Sequence, residues 1–370
     1  MSKLKLGVMF GGVSAEHEVS IITGLQLIKH VDESKYDITA IYVDKSGQWW
    51  TGDQIKSLEY FKTANVFSPA DLKPFQLSLN PTSIQPIDVA ILCFHGTTGE
   101  SGSVQGLLDV AGIPYQGPSV LSSAISFDKI VTRQILKAEG ISQTPYIWFT
   151  LEDWASNKAY WLAELAKLGE ILFIKPANSG SSIGITRVEK LTEIEAAIEL
   201  AGQFDHRILV EKSVTDCLEI NVSVLADGLA TQVSVAEQPL QKDEFLSFAD
   251  KYQRAGGKKS GMASASRRIP APISSSTYEK IKATAIQVAK ILDFTGVIRI
   301  DFFANPSTEE IFLTEPNTIP GSMSFYLWQP SGLPYPLLID RLVEIALQNQ
   351  GRKQALVRTF ETNLLQTASI

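Results

Sequence analysis

The stretch from Val297 to Phe303 alternates residue by residue, and this most narrows what the chain can fold into. Successive side chains of a strand point to opposite faces, so Ile298, Ile300 and Phe302 share one face and Arg299 and Asp301 the other. A cation and a carboxylate are thereby expected on one exposed face. After a short turn at Asn305 to Thr308, a second run from Glu310 to Asn317 puts Glu315 and Asn317 on a single face as well. Two adjacent strands would present Asp301, Glu315 and Asn317 to one point, an all-oxygen set suited to a hard cation such as Mg²⁺. The plainer alternative is a half-buried hairpin whose polar face is merely wet. Arg, Asp, Glu and Asn at these spacings, followed by Pro320-Gly321, favour a site.

The length of 370 residues exceeds what one core normally supports, so about two or three packed domains are expected. With 44% hydrophobic and 20% charged residues the composition is that of an ordinary soluble globular protein. Charged or polar residues interrupt every apolar run before it reaches membrane-spanning length. The apolar patch Leu6 to Val13 runs into Glu16, His17 and Glu18 without a small-residue cleavage site, which argues against a signal peptide. There are 33 basic and 40 acidic residues, a net charge of -7, and no long basic run, so a nucleic-acid partner has little support. Cys93 and Cys217 are the two cysteines, as expected of inert thiols in a reducing cytoplasm. His17, His30, His95 and His206 show no ligand spacing, which argues against zinc.

Leu4 to Phe10, Gly11-Gly12 and the helical spacing from Ser14 to His30 read as strand, glycine turn and helix, a unit that brings a ligand to a helix N-terminus. It lacks the dinucleotide fingerprint, and Glu16 either faces the turn's ligand or only complements the helix dipole. Strands are expected at Asp37 to Val43 and at Asp88 to Phe94. Between them, 46–85 is loop-rich, with no chemistry attached to it. The loop GTTGESG leads into a helix with the apolar stripe Val104, Leu107, Leu108 and Ala111, stopped by Gly112. Strand and helix in alternation predict a parallel α/β sheet. A further helix opens at Ser126 to Lys129, with Val131, Ile135 and Ala138 on one face. From there longer hairpins, at Ile171 to Ile174, Ile183 to Val188, Ile208 to Lys212 and Glu219 to Leu225, predict mainly antiparallel α+β modules. Boundaries are placed after 127 and 215, giving units 1–127, 128–215 and 216–370. Pro336 to Gln348 is a simple terminal helix with Leu338, Leu342 and Ile345 on one face.

The second chemical stretch is Lys175-Pro-Ala-Asn-Ser-Gly-Ser-Ser. A glycine flanked by serines between two strands can fold backbone N–H groups around a phosphate, with Lys175 as a point charge. It is no Walker loop. The polar, glycine-rich segment 241–265 is too long for an ordinary connection. Phe245, Phe248 and Tyr252 favour a lid over disorder, and Lys251 could reach a phosphate.

Taken together, MFGGVSAEHEVS, HGTTGESGSVQGLLDVAGIPYQG, SAISFDK, FIKPANSGSSIGI, ILVEK, FADKYQ, VIRIDFF and TEPNTIPG resemble, in order, the ATP-grasp ligases and most closely the D-alanine:D-alanine ligase family. The resemblance implies an N-terminal α/β domain followed by two modules that grip ATP. It implies ATP phosphates at Lys129 and Lys175, adenine at Glu211, Lys212 and Val214, and ribose at Glu219. Ser181 and Ser182 match the small loop over the phosphates, and Lys251 and Tyr252 the lid. Asp301, Glu315 and Asn317 match the ligands of two magnesium ions, which Mn²⁺ could replace.

The resemblance further implies that Glu16 holds the first D-alanine's ammonium group, with Ser181 and Tyr252 in one hydrogen-bonded set, and that His95 lies beside it. Arg299 and the Gly321 N–H would stabilise a tetrahedral oxyanion, and Ser324 and Tyr326 would meet the second substrate. This chain departs from the family in TTGESG, where Glu100 is retained, in Ser179 where an acid is common, in DCLE before Glu219, and in Tyr326 where many members carry serine. The implied activity is ATP-dependent joining of two D-alanines through an acyl phosphate for peptidoglycan precursors, in a cytoplasmic homodimer with no membrane partner. The alternatives are the same chemistry with D-serine, D-lactate or another second substrate, or a catalytically silent nucleotide-binding paralogue.

Overall fold

From Leu6 onward every residue of β1 (Leu4–Gly11) is buried, as a central parallel strand covered on both faces must be. The computed structural model describes residues 3–63, 71–240, 267–359, 361–363 and 366. β1 pairs in parallel with β2 (Tyr36–Val43). The 46–85 region is not merely loop. It carries β3 (Trp49–Thr51), the short helix α2 (Leu58–Thr63) and β4 (Lys73–Pro74), and its strands extend the sheet antiparallel beyond β2. On the other side of β1 lies β5 (Val89–Leu92), giving the order β4-β3-β2-β1-β5.

The helix α1 (His17–His30) is tied to the ends of two strands through one hydroxyl. Ser20 Oγ accepts the Gly11 N–H and donates to the Cys93 carbonyl, each at 2.8 Å. His17 lies 2.7 Å by Nδ1 from the Gly12 carbonyl, which can only accept, so Nδ1 carries a proton, and Nε2 lies 2.9 Å from the Tyr42 hydroxyl. The turn between strand and helix runs through Gly11 and Gly12 at φ 91° and 99°, a region that an L side chain rarely enters.

Two short helices, α3 (Thr97–Glu100) and α4 (Ser103–Ala111), follow β5, and Gly112 caps α4 in the left-handed conformation as the sequence indicated. The expected helix opening at Ser126 is two helices. α5 (Val120–Phe127) ends there, and Asp128 caps α6 (Lys129–Ala138) by accepting the Ile130 and Val131 N–H groups at 3.0 Å. The face expected to be buried is also wrong. Ile130, Arg133 and Leu136 point inward, Val131 and Ile135 are half-buried, and Ala138 is exposed.

The middle of the chain forms an antiparallel sheet from β6 (Tyr146–Thr150), β7 (Leu172–Pro176), β8 (Thr186–Val188) and β9 (Arg207–Lys212), in the order β6-β9-β7-β8. The residues from Ile183 to Ile185, expected in strand, belong to the turn before β8. Leu172, Ile174, Ile208 and Val210 pack against α7 (Leu151–Ser156), α8 (Lys158–Leu168) and α9 (Ile194–Ala201) through Trp154, Leu165 and Ile198. Tyr146, Lys175, Leu209 and Glu211 alternate with these and so occupy the other face, beneath α6.

The last sheet, β11-β10-β14-β15, contains β10 (Leu218–Ala226), β11 (Thr231–Val233), β14 (Gly296–Ala304) and β15 (Ile311–Asn317). A short ladder of β12 (Gln238–Pro239) with β13 (Arg267–Arg268) lies alongside. Ile298, Ile300 and Phe302 are fully buried against α10 (Ser275–Ile291), together worth about 5–9 kcal/mol at the usual value per apolar side chain. Their partner face is not exposed. Val297 and Leu225 join the N-terminal core, and Asp301 is only 6% exposed. The expected open polar face is therefore a covered one, which raises the cost of any unpaired charge on it. Pro316 is tolerated because β15 is an edge strand. After a short helix α11 (Phe325–Trp328), α12 (Tyr335–Gln354) buries Leu338, Leu342 and Ile345 in the same core as β1 and β5.

Candidate active site

The register of β14 with β15 pairs Asp301 with Glu315 and Arg299 with Asn317, so all four side chains lie on one face as the alternation indicated. Arg299 grips Asp301 with two parallel hydrogen bonds of 2.7 Å, and Asn317 Nδ2 donates to Asp301 at 3.0 Å. Glu219, Asn221 and Ser223 of β10 fall on the same face, Asn221 opposite Asp301. The Asp301 charge raises the Arg299 guanidinium well above its ordinary value although burial opposes it.

Across from this sheet stands the lysine pair. Lys129, at the start of α6, donates to the Ser179 carbonyl at 2.8 Å and to Glu315 Oε2 at 2.9 Å. Lys175 donates to Glu211 Oε2 at 2.6 Å, and Arg133 forms an ion pair with the other oxygen of Glu211. Burial would raise the Glu315 carboxyl, but Lys129, Lys175 and Arg299 outweigh it and hold it down at about 2. Glu211 is likewise lowered against burial by Arg133 and Lys175. Lys129, which the sequence aimed at phosphate, thus neutralises Glu315, aimed at metal, and Lys175 neutralises Glu211, aimed at adenine.

The loop after β7 closes on the N-terminal sheet. Ser181 and Ser182 have φ of 48° and 62°, a left-handed pair in non-glycine residues that marks stored strain. Ser181 Oγ donates to Glu16 Oε1. A Cβ at Gly180 would meet the Glu16 carboxylate and push it aside. A cleft of ≈430 Å³ opens here, lined by Ser14, Glu16, Lys45, Gly96, Phe127 and Gly180 among others. Behind it Glu100 accepts the Gly96 N–H at 2.8 Å, and burial, with the Glu16 charge second, pushes its carboxyl up to about 8.

Gly321 opens a turn in which Ser322, Met323 and Ser324 are all left-handed, at φ 52°, 53° and 50°. The turn is pinned to α1, since the Ser322 N–H reaches Thr23 Oγ1 at 3.3 Å and Ser322 Oγ bonds Gln26. Thr23 Oγ1 also lies 2.8 Å from His95 Nε2. Burial, with the Arg299 charge second, pushes His95 down to about 4, so it is neutral near pH 7. Ser324 is fully buried with no hydrogen-bond partner for its hydroxyl among the described residues. Tyr326 donates to Glu237 at 3.0 Å, and the Arg267 guanidinium lies 3.8 Å from the centre of its ring.

The structure therefore brings Glu16, Ser181, Lys129, Glu315, Asp301, Asn317 and Arg299 into one charged region, with His95 and the Gly321 turn beside it. Lys212 is exposed at the end of β9, and Val214 and Glu219 are half-buried. Lys251, Tyr252 and the whole of 241–265 lie outside the described residues. Sequence reading missed Arg133, Thr23, Asn221, Glu237 and Arg267. Arg133 had a signal, since it stands between Ile130 and Leu136 at three-residue spacing on a helix. Among the described residues no three His, Cys, Asp or Glu side chains converge on a metal position. Two carboxylates and one amide of adjacent strands do share a face, and this oxygen set fits a hard cation held together with phosphate.

Two antiparallel sheets with lysines and carboxylates facing a common gap, behind an N-terminal sheet with a parallel centre, define an ATP-grasp ligase. Family models described as D-ala D-ala ligase N-terminus and D-ala D-ala ligase C-terminus match residues 5–118 and 135–344. The chain belongs to the D-alanine–D-alanine ligase family. A D-alanine–D-alanine ligase of Thermosipho melanesiensis is 36% identical over 370 residues, covering 98% of this chain and 98% of that one. The VanG D-Ala:D-Ser ligase of Enterococcus faecalis superposes with a TM-score of 0.78 at 29% identity, over 93% of this chain and 100% of that one. The Bacillus anthracis D-alanine–D-alanine ligase complexed with ATP gives 0.69 at 25% identity, over 95% and 99%. Among the described residues no helix is long and apolar enough to cross a membrane.

Proposed function

We propose that this chain joins two D-alanines with ATP as the driving substrate, making D-alanyl-D-alanine for peptidoglycan precursors. The observation that carries the reading is the contact between Lys129 and Glu315, which sets a phosphate-seeking cation beside a metal-seeking carboxylate in the gap between the sheets.

The chemistry follows from the side chains. Glu16, braced by Ser181, holds the ammonium group of the first D-alanine, while neutral His95 lies beside it without adding charge. The substrate carboxylate attacks the γ-phosphorus of ATP, and an acyl phosphate and ADP form. Lys129 and Lys175 take the phosphate charge as they leave their carboxylates. Asp301, Glu315 and Asn317 would hold Mg²⁺ or Mn²⁺, which when bound spreads the charge of the transferring phosphoryl group. The amine of the second D-alanine then attacks the acyl carbon. Arg299 and the Gly321 N–H stabilise the oxyanion that forms, and its collapse expels phosphate and leaves the peptide bond. The buried hydroxyl of Ser324 and the ring of Tyr326 border the second substrate. Glu211, Lys212, Val214 and Glu219 hold adenine and ribose, and Lys251 and Tyr252 complete the site from the lid segment.

We assign units 1–127, 128–215 and 216–370 on the same footing, supported by a core beneath each of the three main sheets, with Leu225, Val297 and α12 of the last unit also entering the N-terminal core. A cytoplasmic homodimer is part of the same reading. A D-serine acceptor is the second reading, favoured by the likeness to the VanG ligase and by Tyr326 at the acceptor position.

ADP release measured with D-alanine alone, then with D-serine or D-lactate added, separates these readings, with each product identified by mass. The proposal expects D-alanyl-D-alanine from D-alanine alone. No ADP release with any of them would overturn it.

A further inference from the structure

We propose that Arg133 is the positioning residue that frees Lys175 to exchange Glu211 for a nucleotide phosphate. The inference rests on the reading of Lys175 as a phosphate ligand and adds a residue to it.

Glu211 is 5% exposed and sits between two cations, each holding one of its oxygens. The two cations are not equivalent. Arg133 is 2% exposed and is packed between Ile130 and Leu136 on the inward face of α6. Its guanidinium lies 5.5 Å from the centre of the Tyr146 ring. One nitrogen reaches Gln143 Oε1 and another the Thr314 carbonyl, each at 3.4 Å. It is held on every side, its planar fork fixed by these partners. Lys175 keeps 18% of its side chain exposed and carries a point charge on a flexible stem. Lys175 is therefore the partner that can leave.

A lysine that turned to a phosphate would otherwise strand a buried carboxylate without a counter-charge, and that penalty would hold the lysine in place. With Arg133 fixed on the other oxygen, Glu211 remains compensated whichever way Lys175 points. Arg133 touches neither nucleotide nor substrate in this account. It acts through Glu211 on the freedom of Lys175.

The test is calorimetric binding of an imido analogue of ATP with magnesium to the full-length chain. Arg133→Met should weaken binding about tenfold or more, whereas on a Glu211→Gln background the same change should cost about twofold or less, since the lock is then gone. Equal losses on the two backgrounds, or parental affinity in Arg133→Met, would overturn the proposal. Should Arg133→Met fail to fold, Arg133→Lys carries the test. Its retained charge predicts affinity within about threefold of the parent, and a loss of about tenfold would overturn the proposal. Lys175→Met binding as tightly as the parent would instead remove the phosphate reading beneath it, which keeps the two failures distinct.

Discussion

Lys129 and Glu315 meet across the gap between two sheets, Nζ to Oε2 at 2.9 Å, while the same ammonium holds the Ser179 carbonyl at 2.8 Å. One contact thus links the first turn of α6, the serine loop and the edge strand β15. Glu315 keeps 39% of its side chain exposed, so the pair is open to exchange with incoming charge. Lys129→Met should lower kcat/KM by about a hundredfold, the loss typical of an electrostatic donor to transition-state charge. Steady-state kinetics with ATP varied checks it, and near-parental values would remove Lys129 from the site.

Asp301 and Arg299 form a buried bidentate pair, so the two obvious substitutions at Asp301 should differ. Asp301→Ala leaves a buried guanidinium unpaired and should cost about 3–5 kcal/mol of stability. Asp301→Asn keeps one acceptor, should unfold closer to the parent, and should still lose turnover. Denaturant unfolding beside an ADP-release assay separates fold from function, and an Asp301→Asn variant that turns over normally contradicts the metal assignment.

Gly180 has φ outside the left-handed range, so Gly180→Ala carries no backbone strain and its effect is steric, against the carboxylate of Glu16. That carboxylate ends a flexible side chain and can move aside. Stability should therefore change by less than about 1 kcal/mol. KM for the first D-alanine should rise about tenfold or more, because the displaced Glu16 no longer meets the ammonium group. An unchanged KM would dissociate Glu16 from that substrate.

Glu100 supplies a pH test. Its carboxyl is raised from 4.5 to about 8, so between those values the folded chain binds more protons at this position than the unfolded chain. Its contribution to stability is complete below 4.5 and is lost as pH rises toward 8. His95, lowered from 6.5 to about 4, acts the other way, its contribution being present above 6.5 and lost as pH falls toward 4. The difference between Glu100→Gln and the parent isolates Glu100. Urea unfolding from pH 4.5 to 8 should show the variant gaining on the parent as pH rises, and parallel curves would contradict the assigned environment.

The alternation from Val297 to Phe303 placed Arg299 and Asp301 on one face without any structure, because strand geometry leaves side chains only two directions. It could not show that this face is covered, since Leu225 and the N-terminal core reach it from parts of the chain that no local pattern connects. The helix at Lys129 to Ala138 went wrong for a related reason. Weighing only apolar residues picks out Val131, Ile135 and Ala138, whereas the inward face is set by Arg133, whose burial depends on Glu211 in another element. Periodicity can set Arg133 on the face of Ile130 and Leu136 but cannot supply its distant partner Glu211, and charges buried against such partners form much of the site. The strands at Trp49 and Lys73 were missed because they are short edge pieces whose existence depends on β2.

An isotope experiment tests the acyl-phosphate account most directly. If a D-alanine carboxylate attacks ATP and an amine then displaces phosphate, one oxygen of that carboxylate must leave with the phosphate. D-alanine labelled with ¹⁸O in its carboxylate, supplied with ATP and magnesium, should yield D-alanyl-D-alanine and inorganic phosphate carrying a single ¹⁸O by mass spectrometry. Dipeptide formed together with unlabelled phosphate would contradict the account.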